Sequence, residues 1–242
     1  MNAPESQRAL LLRVARRAMM ERGLEPDIPA DALAEAERWE PRADGAEARD
    51  LRDLPWCSID NDDSRDLDQL TVADPDGNGN ATIYVAVAVV IDAVTPGSAL
   101  DRHAANNTTS VYTPPKVFPM LPERLSTDRT SLGLDQDRMA MVVQMQVDGG
   151  GRITTSQVFR ATVRNHAKLA YSKVGPWLEG GGPVPPTIAN VPGLEANLRI
   201  QDRVAQCLKA ERHEHGALLL ESIEVRPEMK DEAIETLEQV QR

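Results

Sequence analysis

Residues 59–70 read I-D-N-D-D-S-R-D-L-D-Q-L. Five aspartates, Asp60, Asp62, Asp63, Asp66 and Asp68, fall within nine positions, and Gln69 follows directly. Crowding like charges at this range costs free energy unless a cation or solvent compensates. Hard oxygen donors of this kind select Mg²⁺, Mn²⁺ or Ca²⁺ over zinc or copper. Three readings compete. The first is a solvated acidic turn, because charge clusters usually face water. The second is a calcium loop of the EF-hand type, since Asp60, Asp62 and Ser64 alternate. It fails, because Arg65 stands where glycine makes the turn and Thr71 where a bidentate glutamate belongs. The third is a magnesium site, where one or two carboxylates share the ion with waters and a substrate phosphate. Two such ions can activate a water and stabilise the leaving oxygen in phosphodiester cleavage. Spacing alone leaves the choice open.

On either side of this run the chain changes character. Downstream, Asp74–Asn80 (D-P-D-G-N-G-N) is a turn by its Gly, Asn and Pro content. It opens onto Ala81–Val94, a nearly uncharged β-branched run that predicts a strand buried on both faces. Met139–Val147 and Ile153–Val163 flank Asp148–Arg152 and predict a hairpin. Residues 179–193 form a Gly/Pro loop, after which Leu194, Leu198, Val204, Cys207 and Leu208 approximate one helical stripe. Residues 230–242 predict a closing helix. Upstream, residues 1–48 read as a helical arm and linker. Leu11, Val14, Ala15, Ala18 and Met19 recur at helical spacing, with Gly23 as a stop. Asp31 is a candidate cap for a short helix over Ala32–Trp39, and polar Pro41–Asp50 reads as a linker. Strands precede helices without strict alternation, so the expected class is α+β, with a second domain over 49–242.

The composition narrows the function. The 242 residues are 41% hydrophobic and 27% charged, enough for a buried core. With 27 Lys+Arg against 38 Asp+Glu, the net charge of -11 argues against a polycationic chromatin-type binder or a surface built for anionic membranes. It leaves room for an enzyme whose nucleic acid enters a locally basic cleft. Cys57 and Cys207 lie 150 positions apart, so neither a zinc knuckle nor a disulfide framework is expected, nor a disulfide-linked partner. A reduced, cytoplasmic protein fits, and no apolar run of signal or membrane-span length appears near the N-terminus. Aromatics are only 3% of the chain, so a ring inside a motif carries extra weight.

Several motifs recur in one order. They are D-L-R-D-L-P-W (50–56), I-D-N-D-D-S-R-D-L-D (59–68), V-A-V-A (85–88) and P-G-S-A-L-D (96–101). T-S-V-Y-T-P-P-K-V-F-P-M-L-P-E-R-L-S (109–126), S-L (131–132) and A-K-L-A-Y-S-K-V (167–174) follow. In this order and spacing, residues 50 to about 220 resemble the catalytic domain of the ribonuclease II (RNB) family of exoribonucleases. The resemblance implies an RNB-type α+β domain with a mixed, mainly antiparallel sheet and flanking helices. It also implies Mg²⁺-dependent hydrolysis of single-stranded RNA from the 3′ end to nucleoside 5′-monophosphates, with Mn²⁺ as a substitute ion. Asp60, Asp66 and Asp68 match three of the family's four active-site aspartates. Tyr112 matches a tyrosine near the scissile phosphate. Tyr171 matches one that packs on the terminal nucleotides, where stacking tolerates any base and a 2′-OH contact separates RNA from DNA.

Three positions depart from the family pattern. Gln69 stands at the fourth aspartate; its amide can ligate or orient a water but brings no charge. Val89 replaces a frequent Asp, and Leu220 a frequent base-stacking Phe. The family pattern also implies a further catalytic half, with an arginine-rich segment, which the chain to Arg242 does not include. Two functions therefore stand: a magnesium-dependent 3′→5′ exoribonuclease or its front half, and a catalytically impaired RNB-like module that binds RNA or a partner. A purely structural metal-binding domain would leave the Tyr112 and Tyr171 matches without a purpose.

Overall fold

The computed structural model describes residues 6–41, 48–218 and 223–241. Two compact units interleave along the sequence, one built from 1–39, 93–126 and 219–242, the other from 40–92 and 127–218.

The first unit carries three helices, α1 (Gln7–Glu21), α2 (Ala30–Arg38) and α3 (Ala99–Asn107). Ser6 caps α1, its Oγ accepting from the Ala9 N–H at 3.2 Å, and the chain turns at Gly23 with φ +76°. Helix α2 starts earlier than Asp31 suggests. Pro29, whose fixed φ suits a helix entry, precedes it, and Asp31 lies within the first turn, where a negative charge favours the dipole. Ser98 caps α3 through Asp101 N–H at 3.1 Å. Ala32, Ala36, Ala99, Leu100 and Leu125 form the core between these helices. Two small hairpins complete the unit: β5 (Val111–Tyr112) with β6 (Val117–Phe118), and β10 (Ile223–Lys230) with β11 (Ala233–Gln241).

The β10–β11 hairpin overturns the expected helix over 230–242. Lys230 pairs with Ala233 across a two-residue turn in which Asp231 takes φ +52°, and the ladder continues to Ile223 opposite Gln241. Cross-strand pairing overrides the helical propensity of Glu, Ala, Leu and Gln here. The turn is tied to α1, with Arg8 N–H donating to Glu232 O at 3.0 Å and Ile234 N–H to Gln7 Oε1 at 3.1 Å. Ile223, Val225 and Leu237 stay exposed.

The second unit is a seven-stranded sheet in the order β1-β8-β7-β4-β3-β2-β9. Its strands are β1 (Arg49–Asp50), β2 (Cys57–Asp60), β3 (Gln69–Pro75), β4 (Ala81–Ala88), β7 (Asp137–Val147), β8 (Ile153–Arg164) and β9 (Ala167–Ala170). All neighbours are antiparallel except β1–β8 and β2–β9. The mixed, mainly antiparallel α+β architecture is thus present, and so is the β7–β8 hairpin around Asp148–Arg152. Strand β4 stops short of the expected Val94. Its ladder with β7 runs out at Ala88 opposite Ala140, Val90 and Ile91 lie exposed beyond it, and Val87 within it is open to solvent. The linker expected over 41–50 falls largely on 42–47, outside the described residues. Arg49–Asp50 at its end pairs in the sheet.

Trp56, Leu70, Val72, Ala86, Leu132, Val142 and Val163 form one buried cluster on this sheet. A second cluster joins Cys57 and Leu169 to α4 (Tyr171–Leu178), α5 (Pro186–Ala189) and α6 (Leu194–Glu214) through Val174, Trp177, Ile188, Leu194 and Leu198. Each such large apolar side chain contributes about 1.5–3 kcal/mol on full burial. Helix α5 forms inside the expected Gly/Pro loop, with Pro186 at its first position. Buried Asn197 of α6 docks on β3 like a further strand, accepting from Ala73 N–H at 3.0 Å and donating to Ala73 O at 2.6 Å. Among the described residues, no helix is long and apolar enough to cross a membrane.

Candidate functional site

The acidic run is the connection from β2 to β3, and the sheet fixes both its ends. Asp60 is the last residue of β2, paired with Ala170 of β9, and its Oδ1 accepts from Asn61 N–H at 2.7 Å. Buried Leu67 is the anchor. Its N–H donates to Ser131 Oγ at 3.0 Å, and its carbonyl accepts from Leu132 N–H at 2.8 Å. The Ser131 hydroxyl in turn donates to Arg65 O at 3.2 Å, and Arg138 Nε holds Ser131 O at 3.1 Å. Asp68 O accepts from Ala88 N–H at 2.9 Å. Leu67 is buried between a half-buried Asp66 and an exposed Asp68.

Asp68 feels the charges of both Asp66 and Asp60. Although Asp68 as a residue is open to solvent, its carboxyl is partly enclosed. That desolvation, reinforced by the charges of Asp66 and then Asp60, raises the Asp68 carboxyl above the ordinary carboxylate range. Carboxylate oxygens of this kind suit a hard divalent cation. Among the described residues, no three His, Cys, Asp or Glu side chains are grouped so that together they could hold a metal ion. Mg²⁺ needs no such grouping, because it keeps waters and takes one or two carboxylates together with phosphate.

Gln69 and Tyr171 come together. Both line a mainly apolar cavity of about 390 Å³, walled by Cys57, Ile59 and Ile83 of the sheet and Leu198, Val204 and Leu208 of α6. Tyr171 opens α4 and is 57% exposed, which suits a stacking ring better than a core one. Burial pushes the Cys57 thiol up to about 11. Tyr112, exposed on β5, belongs to the first unit, whereas the other five candidates belong to the second. Val89 is buried just past β4, and Leu220 lies outside the described residues.

Sequence reading missed the residues that hold the run in place. Ser131, Leu132 and Arg138 lie some sixty residues from it, and only the short S-L match marked two of them. Lys168, whose Nζ donates to Ser64 O, and Ser172, whose Oγ donates to Asp62 Oδ2 at 2.7 Å, flank Tyr171 in a motif noted for its ring alone.

The sequence pattern of the family described as the RNB domain matches residues 48–242. The chain belongs to the RNB family. Among curated RNB relatives, ribonuclease R of Escherichia coli (strain K12) is 38% identical over 194 residues, covering 80% of this chain and 24% of the relative. Ribonuclease R of Vibrio parahaemolyticus is 36% identical over 194 residues, covering 77% of this chain and 22% of the relative. The chain thus spans about a quarter of the length of these relatives. In three dimensions it is similar to Mycoplasma genitalium RNase R solved in complex with ribose-methylated single-stranded RNA. The TM-score is 0.84 at 24% identity, covering 95% of this chain and 36% of that one. That likeness establishes the RNB fold.

Proposed function

We propose that this chain is the front part of the catalytic domain of a Mg²⁺-dependent 3′→5′ exoribonuclease that degrades single-stranded RNA to nucleoside 5′-monophosphates. The placement of Asp68 within reach of the charges of Asp66 and Asp60 carries this reading. RNB membership and the ribonuclease R relatives support it. The reaction adds water across a phosphodiester: the new oxygen joins phosphorus, the P–O3′ bond breaks, and the 3′-oxygen leaves with a proton. Mg²⁺, when bound, supplies Lewis-acid activation and charge neutralisation. Asp60, Asp66 and Asp68 would hold it. Gln69 would position a water or the ion's shell through its amide, Tyr112 would lie against the scissile phosphate, and Tyr171 would stack on a terminal base. A reduced, cytoplasmic setting suits two unpaired thiols.

The experiment is a Mn²⁺ titration with and without a short RNA, in wild type and in Asp68→Asn. Phosphate oxygens complete the ion's shell, so RNA should tighten Mn²⁺ binding in wild type and fail to do so in the variant. Equal affinity in all four combinations refutes the assignment.

Gln69 favours a second reading, a catalytically impaired RNB module that binds RNA without cleaving it. An amide in place of a carboxylate keeps geometry and removes one charge, which weakens metal affinity. Under this reading Gln69→Asp restores turnover in a chain carrying the remaining catalytic half. Under the first, turnover already exists at raised Mg²⁺.

A further inference from the structure

We propose that a second cavity, beside the acidic run and lined by Lys168 and Lys173, binds a backbone phosphate of the RNA strand. The inference rests on the RNA-binding reading above and names a contact within it. The cavity measures about 270 Å³ and is lined by Asn61, Asp62, Lys168, Ala170, Lys173 and Thr187, among others. The parallel pairing of β2 with β9 places it, because Ser58 lies opposite Lys168 and Asp60 opposite Ala170. Its floor is therefore continuous with the strand end that presents Asp60.

Charge decides what the cavity takes. Lys168 spends one Nζ proton on Ser64 O, leaving two donors. Lys173, exposed on the first turn of α4, makes no hydrogen bond or ion pair among the described residues. Asp62 also lines the cavity, but its Oδ2 is engaged by Ser172 Oγ at 2.7 Å. The cavity lining itself carries two ammonium groups against one carboxylate, a basic edge to an otherwise acidic run on a chain of net charge -11. A polyanion approaching such a chain is repelled everywhere except at local cations. Asn61 and Thr187 add neutral polar groups able to donate to phosphate oxygens. A phosphodiester of a strand running past the acidic run matches this arrangement in charge.

The test is fluorescence anisotropy of the 242-residue chain with a labelled oligouridylate, in chelator, across a KCl series. Neutralising one phosphate contact should reduce the magnitude of the log–log salt slope by about 0.7 for a single strand. Lys173→Gln should show that loss, Lys173→Arg should retain the wild-type slope, and Lys209→Gln, at an exposed lysine of α6, should leave it unchanged. Wild-type binding with an unaltered slope in Lys173→Gln overturns the phosphate site and leaves the RNA-binding reading standing. An equal loss in Lys173→Gln and Lys209→Gln also overturns it, as general electrostatics would then suffice. No binding by wild type at low salt overturns both.

Discussion

Asn197→Leu removes the side-chain amide that serves β3 as a substitute strand, while keeping a side chain of similar bulk. In wild type that amide satisfies both the N–H and the carbonyl of buried Ala73, and Gln201 Nε2 donates to its Oδ1 at 2.8 Å. With leucine, both backbone groups stay buried without a partner at about 1–3 kcal/mol each, so the cost is about 2–6 kcal/mol. The melting temperature should drop by on the order of 10 °C. Asn197→Asp gives an independent reading. Its carboxylate still accepts from Ala73 N–H but faces Ala73 O, to which only a protonated carboxyl can donate. The folded state then holds the proton more tightly than the unfolded chain, so stability falls as pH rises. Relative to wild type, the aspartate variant should lose little below about pH 4 and progressively more above it. Urea unfolding followed by tryptophan fluorescence, repeated from pH 4 to 8, measures both effects. The reasoning fails if Asn197→Leu stays within about 0.5 kcal/mol of wild type, the range of an ordinary surface change. It fails equally if the aspartate variant tracks wild type at every pH.

Gly151 sits buried in the β7–β8 turn at φ +86°, and an added Cβ would come within 2.4 Å of the Cys207 carbonyl oxygen. Backbone strain and a clash with helix backbone together should make Gly151→Ala cost at least about 3 kcal/mol, and an unchanged melting temperature would contradict that. In the first unit, the Leu100 and Ala99 N–H groups donate to Glu35 and hold its carboxyl below the usual range. That stabilisation is present above the unfolded carboxylate pKa and is lost as pH falls through the folded one. The stability gap between wild type and Glu35→Gln should therefore narrow on acidification; a gap constant from pH 6 to 3 would show that Glu35 does not cap α3.

Local chemistry was legible wherever one segment decides the outcome. The β7–β8 hairpin announces itself through Asp148–Gly149–Gly150–Gly151 between two β-branched runs, and α6 through a stripe from Leu194 to Leu208. The C-terminal hairpin was not legible, because Ile234, Leu237 and Val240 repeat at a near-helical interval and only pairing with 223–230 reveals the strand. Ala81–Val94 was overread for the same reason: where a strand ends depends on where its neighbour's ladder ends, here at Ala140. Among the candidate site residues, the aspartates stood out by type and spacing, and the two tyrosines through the family resemblance. What orients them, the hold of Ser131 and Leu132 on Leu67 and of Lys168 on Ser64, joins positions 64 to 104 residues apart. No window of local sequence contains both partners.

The parallel pairing of β2 with β9 also has a consequence for the order of events during synthesis. Asp60 leaves the ribosome 110 residues before Ala170, its partner in the sheet. At about 5–20 residues per second that is a delay of roughly 6–22 s. Throughout it, the nascent chain carries all five aspartates on a segment that has no β9 to pair with, and closing so distant a contact is among the slower steps of folding. A polypeptide interrupted after Asp68 but before β9 therefore displays the acidic signature in full while lacking the frame that gives it a shape.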